Sequence, residues 1–166
     1  MARPRQPARF EIAEAGDARA VEDCRALFVE YQQGLGVSLC FQDFDRELAT
    51  LPGSYARPRG RLLIVHVAGE PAACVALRPL GAHDAEMKRL YVRPAFRGMG
   101  IGAALALRVI DEARAMGYAT LKLDTLPSMR EAQALYARLG FVDVGPYNDN
   151  PVEGTRFMSL DLRQRP

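Results

Sequence analysis

One segment of this chain constrains it more than any other. From Leu90 to Gly117, a bulky apolar run, a glycine-rich turn and a helical pattern follow in quick succession. Leu90, Tyr91 and Val92 suit a pleated strand. Pro94 has no N–H to give to a ladder and closes that strand. Gly98, Gly100 and Gly102 then occupy alternate positions, leaving backbone N–H groups clear of side chains. A helix is predicted from Ile101, with Gly117 where a C-terminal cap belongs. Bare N–H groups at a helix N-terminus, backed by the positive end of its dipole, form an anion site. Arg97 adds a full charge at the lip. Three alternate glycines beside an arginine exceed what a tight turn requires, so this turn is predicted to hold a phosphate or pyrophosphate.

The glycine spacing fits two fingerprints. Gly98, Gly100 and Ala103 read as G-x-G-x-x-A, with Asp124 at the end of a plausible strand further on. That is a dinucleotide-binding pattern, and it keeps a nucleotide-dependent oxidoreductase as a remote alternative. Against it, Arg93–Arg97 separate the strand from the first glycine, and too little chain remains after Asp124 for a series of strand–helix units. The second match is closer. Arg97-Gly98-Met99-Gly100-Ile101-Gly102 resembles the R/Q-x-x-G-x-G/A signature of the GNAT superfamily of N-acetyltransferases, which bind the pyrophosphate of acetyl-CoA. The preceding strand and the spacing from Pro94 match as well. Downstream, Tyr136-Ala137-Arg138-Leu139-Gly140-Phe141 resembles the family's Y-x-x-x-G-F element. The resemblance covers Glu86 to Phe141, about a third of the chain.

Composition adds bounds. With 166 residues and 49% hydrophobic content, the chain is expected to form one globular domain over residues 10–163, after a flexible, basic and proline-rich segment 1–9. A net charge of +2 gives no argument for nucleic acid or a membrane surface as partner. No run of 18 apolar residues marks a membrane span. Cys24, Cys40 and Cys74 are odd in number and lack metal-ligand spacing, so no metal is expected. They suit a reducing cytosol as small buried hydrophobes. A cytoplasmic location follows as an expectation, with a homodimer as the assembly left open.

Along the chain, Phe10–Ala13 alternates as a short strand. Asp17 is a suitable N-cap for a helix in which Val21, Cys24, Phe28, Tyr31 and Leu35 recur at helical steps until Gly34 and Gly36. Phe41, Phe44, Leu48 and Leu51 mark a second short helix. Ser54–Arg61 is a basic loop, read as a solvated turn. Arg61–Ala68 and Pro71–Leu80 are strands joined by a Gly69-Glu70 hairpin. A third strand covers Ala85–Val92, and after the Ile101 helix comes a parallel strand, Thr120–Thr125. Ser128 and Glu131 suggest a capping box for a helix ending at Gly140. Strands at Phe141–Val144 and Thr155–Leu162 flank a loop containing Tyr147-Asn148-Asp149-Asn150.

This order is that of the GNAT fold, an α+β architecture with a mixed central sheet of about seven strands and flanking helices. The resemblance implies acetyl-CoA as cosubstrate. Backbone groups of Leu90, Tyr91 and Val92 would hold the pantetheine arm, and Arg97, Gly98, Met99, Gly100, Ile101 and Gly102 the pyrophosphate. It implies Glu86 as general base, directly or through water, and Tyr136 as general acid to the leaving thiolate. Ser128 stands where many members carry an asparagine near the pantetheine. The acceptor would be a small-molecule, amino-acid or peptide amine. Tyr31, Gln32, Phe41 and Phe44 from the first two helices are candidates to line its pocket, with Tyr147, Asn148, Asp149 and Asn150 from the last loop. A non-catalytic acyl-CoA-binding or regulatory module on the same fold is the main alternative.

Overall fold

The computed structural model of the chain describes residues 9–39 and 43–164. Seven strands form one mixed sheet in the order β1-β2-β3-β4-β5-β7-β6. In chain order these are β1 (Glu11–Glu14), β2 (Arg61–Val67), β3 (Glu70–Leu80), β4 (Asp84–Val92), β5 (Thr120–Thr125), β6 (Val142–Val144) and β7 (Arg156–Asp161). The helices are α1 (Ala18–Leu35), α2 (Phe44–Thr50), α3 (Ile101–Ala115) and α4 (Arg130–Arg138). The element order and the fold class are those expected. The parallel pair is β4 with β5, because the α3 crossover joins them. A dinucleotide fold needs a series of parallel strands, which this sheet does not provide.

Helices cover both faces, so the central strands are apolar without alternation. Leu63, Val65 and Val67 of β2 pack with α3 residues Leu105, Val109 and Ala113 and with Tyr136 of α4. Leu62 and Ile64 face the other way, onto Leu27 and Phe28 of α1 and Phe44 of α2. Cys24 and Cys74 lie fully buried among them, as expected of small apolar residues, and burial pushes the Cys24 thiol up to about 12. Cys40 and Phe41 lie outside the described residues.

Three local expectations change. The hairpin between β2 and β3 turns on Ala68-Gly69 rather than Gly69-Glu70, with φ of 50° and 81°; two positive φ angles in succession make a type I′ turn. Ser128 caps nothing: α4 starts at Arg130 after Met129, and no side chain caps it. The basic loop is solvated at Ser54 and over residues 56–59, as expected, but it is also tied down. Arg57 pairs with Glu14, Arg61 with Glu112 at 3.0 Å, and Arg59 donates to the Ala82 carbonyl. Asp17 does cap α1, accepting from the Ala20 N–H at 2.8 Å.

The feature that positions the site is a bulge in β4. Ala76 pairs with Lys88 and Cys74 with Tyr91, so two β4 residues, Arg89 and Leu90, oppose the single Val75. Arg89 takes the strain, with φ at 60°. Before the bulge Ala85 and Met87 face α3; after it Leu90 and Val92 do. The shift puts Lys88 and Arg89, neighbours in sequence, on the α1–α2 side together.

Candidate active site

Already after Glu86, ahead of the bulge, β4 and β5 part. Their pairing covers only Asp84–Glu86 against Thr120–Lys122. The remainder of β4 has no strand on that side among the described residues. The gap is lined by Lys88, Leu90, Asp124, Thr125 and Tyr136, with Tyr31 of α1 closing one end.

The glycine turn sits at the far end of β4. Gly98 and Gly100 adopt φ of 80° and 79°, which side chains rarely tolerate, and a Cβ at either would meet nothing within 4 Å. Gly100 is the N-cap of α3, whose first turn carries no acidic residue. A Cβ at Gly102 would stand 3.8 Å from Val92, an ordinary contact beside the strand. Arg97 is exposed, and its Nε donates to the Val92 carbonyl at 3.1 Å, tying the turn to the end of β4. Met99 packs on the core while Ile101 is buried. Tyr91 leaves the gap side, its hydroxyl 3.4 Å from Glu30.

The structure brings together most of the sequence candidates for chemistry, in an arrangement the sequence did not show. Glu86 is 1% exposed rather than at a solvated strand end. One oxygen pairs with Arg78 at 2.7 Å; the other accepts the Tyr147 hydroxyl at 2.6 Å, with Lys88 Nζ 3.8 Å away. Burial and the neighbouring Glu86 push the Tyr147 phenol well up, so its hydroxyl keeps the proton it donates. Asn148 and Asn150 donate to Asp124 Oδ2 at 3.0 and 3.3 Å, and Lys88 Nζ lies 3.7 Å from Oδ1. Burial opposes ionisation of Asp124, but Lys88 and the two amides prevail and hold the carboxyl below its usual range. Burial likewise drives the Lys88 ammonium below its usual value, against the pull of Glu86 and Asp124.

Tyr136 is 7% exposed and packs on Phe141, yet it lines the gap, and its hydroxyl makes no hydrogen bond to a described residue. Burial raises its pKa, which keeps the phenol protonated at neutral pH. Tyr31 reaches the gap, its phenol pushed up to about 12 by burial. Phe44 does not: it is core, with the Arg89 guanidinium 5.1 Å above its ring and Glu47 pairing that arginine at 2.8 Å. Ser128 is exposed in the turn after β5, outside the residues that line the gap. Sequence reading passed over Lys88 as a site residue and took Asp124 only for a nucleotide fingerprint. Their one signal was charge in strands that otherwise read as buried.

Comparison with known proteins agrees with this geometry. The model of the acetyltransferase (GNAT) family matches residues 22–141. An uncharacterized N-acetyltransferase of Schizosaccharomyces pombe is 35% identical over 159 residues, covering 95% of this chain and 98% of its own. The Escherichia coli N-acetyltransferase YjgM is 29% identical over 83% of each chain. Among solved structures, a GNAT-family acetyltransferase of Staphylococcus aureus superposes with a TM-score of 0.77 at 19% identity, over 93% of this chain and 99% of its own. The Salmonella typhimurium protein yncA, solved with acetyl-CoA, gives 0.71 at 22% identity over 95% and 96%. With its family model matched from α1 through strands β2–β5, the glycine turn and α4, this chain belongs to the GNAT family of acetyltransferases.

Proposed function

We propose that the enzyme transfers the acetyl group of acetyl-CoA to a primary amine of a small molecule, amino acid or peptide. One observation carries the reading: an unpaired strand edge beside the splayed gap leads straight to a bare glycine turn at a helix N-terminus. That arrangement fits the cosubstrate part by part. The open space at Gly98 and Gly100 admits a pyrophosphate against the N–H groups of Gly98–Gly102, with Arg97 beside it. The free edge at Leu90, Tyr91 and Val92 can pair with the amide groups of a pantetheine arm as an added strand would. Bound acetyl-CoA would supply an activated acetyl thioester.

The chain's own groups then divide the work. Tyr136 lines the gap, and its Oη holds a proton. With its pKa raised by burial it stays protonated through neutral pH, ready to serve as general acid to the leaving sulfur. Glu86 does not line the gap, so its role as base runs through an intervening water or group. Its Oε2 already faces the Tyr147 hydroxyl and, at 3.8 Å, Lys88. Tyr147 and Asn148 serve the acceptor side by fixing the two carboxylates. The buried thiols of Cys24 and Cys74 suit a reducing compartment such as the cytoplasm.

The test is thiol release from acetyl-CoA against a panel of primary amines, alongside calorimetric binding of acetyl-CoA. Amine-dependent release supports acetyl transfer. Tight binding without release from any amine favours the non-catalytic acyl-CoA-binding module.

A further inference from the structure

Lys88 is the anomaly of the gap. Its side chain is 4% exposed, yet its ammonium makes no hydrogen bond to any described residue. Its two carboxylate neighbours, Glu86 and Asp124, stand 3.8 and 3.7 Å away, at ion-pair rather than hydrogen-bond range. An ammonium has three donors, and although the rest of the side chain is buried, the Lys88 Nζ atom itself is not enclosed by protein, so its donors are left facing the gap. Lys88 lines the gap, so an oxygen acceptor placed there would complete it.

The charge balance says what kind of acceptor. Of the charged side chains around the gap, Arg89 is held by both oxygens of Glu47, and Arg78 by Glu86. The first pair is self-contained, and in the second Arg78 balances the charge of Glu86, whose other oxygen stands near Lys88. What remains facing the gap is one cation and one anion side by side, Lys88 and Asp124. A lone anion at Lys88 would leave the buried site with net negative charge, and a lone ammonium at Asp124 with net positive. A molecule carrying both charges on adjacent carbons adds neither. It sets its carboxylate on Lys88 and its amino group on Asp124, so that each buried charge gains an opposite partner. Asn148 and Asn150, which hold Asp124 Oδ2, keep the carboxylate turned toward Lys88.

We propose, resting on the acetyl-transfer reading above, that the acceptor is an α-amino acid or a close analogue. Lys88 recognises its carboxylate and Asp124 its amino group.

The experiment compares matched acceptors with acetyl-CoA: amino acids, their amides, and the amines left after removal of the carboxylate. The intact amino acid of the best pair should exceed its decarboxylated amine in kcat/KM by about 10- to 100-fold, the range of one charge-assisted hydrogen bond. In Lys88→Met that ratio should fall to near one, chiefly through KM for the amino acid, and Lys88→Arg should restore part of it. The substrate comparison needs no variant, so poor folding of Lys88→Met does not spoil it. Equal turnover of amino acids and decarboxylated amines overturns the proposal. So does a Lys88→Met enzyme that folds and loses kcat on both alike. An acyl chain bearing its own carboxylate is the other source of such a group, and a succinyl-CoA arm separates the two. A Lys88-dependent preference for succinyl-CoA without discrimination among acceptors overturns the acceptor assignment. If no acceptor releases thiol, the acetyl-transfer reading fails by itself. Calorimetry on the CoA-bound protein then decides the recognition claim: preferential binding of amino acids supports it, and equal binding of the amines refutes it.

Discussion

The glycine turn and the buried polar cluster are built on opposite principles. The turn is contiguous, exposed at Arg97, Gly98 and Gly100, and made of backbone. Residues 97–102 present N–H groups, and the side chains matter mainly by being absent. The cluster is discontinuous and buried. Arg78, Glu86, Lys88, Asp124, Tyr147 and Asn148 come from three strands and a loop, and each is placed by another's charge or hydrogen bond. A backbone site tolerates any substitution that keeps the conformation and the space. A side-chain network transmits the loss of one member to the rest. The first should therefore govern cosubstrate affinity, and the second turnover and acceptor choice.

The sharpest separation should come from Tyr136, which borders the gap between the two regions. Tyr136→Phe keeps the packing on Phe141 and removes only the proton donor. Turnover should fall by about 100- to 10,000-fold, the usual range for an acid–base group, with the acetyl-CoA dissociation constant nearly unchanged. Stopped-flow thiol release and calorimetry read the two quantities. Parental turnover would return Tyr136 to the core. Because burial pushes its pKa up, no alkaline fall in rate should be traceable to this residue over an ordinary pH range.

The turn should show the converse. Gly100→Val is a blunt probe, since its φ of 79° would strain any side chain. Gly102 is helical with room for a Cβ, and a first-turn carboxylate suits the helix dipole. Gly102→Glu should thus keep its melting temperature while weakening acetyl-CoA binding by about 100-fold through like-charge repulsion. Unchanged affinity would remove the turn from the binding site. Arg97→Ala should act in the same direction more weakly, by roughly 10-fold, because its charge is exposed and already shared with the Val92 carbonyl.

Much of the turn was legible from sequence because a glycine that must adopt positive φ leaves its mark in the residue itself. The cluster was not, for three reasons. Arg89 takes the bulge conformation without being glycine or asparagine, so nothing in L-Y-V or its flanks announces that Lys88 and Arg89 share a face. Lys88 and Asp124 lie far apart in the chain and meet only because β4 and β5 are adjacent. The S-x-x-E pattern at Ser128 is satisfied on paper, yet α4 begins two residues later, since a capping motif records local preference and not where tertiary packing starts a helix.

The smallest expected effect is on stability. Asp124 titrates below its usual value in the folded protein, so its ionised form stabilises the fold fully above the ordinary carboxylate range. That contribution fades as pH falls through the depressed value. Asn148→Ala removes one of the hydrogen bonds responsible and should cost about 1 kcal/mol near pH 7. Urea titrations of both proteins should converge toward pH 3. A difference that stays constant with pH would mean that Asn148 acts through packing and not through the carboxylate.

The short β4–β5 pairing has a mechanical consequence. A seven-stranded sheet joined at its centre over three residue pairs is in effect two smaller sheets with a seam between them. α3 bridges the seam covalently, but little of the backbone does. The core beneath α3 still runs across the seam, so the weakness is confined to the backbone there, and the amides nearest it should exchange with solvent before those of β2 and β3. Anything that lies along the free edge of β4 stitches the halves together. Occupancy of the site would then register as slowed exchange on both sides of the seam, beyond the residues it touches.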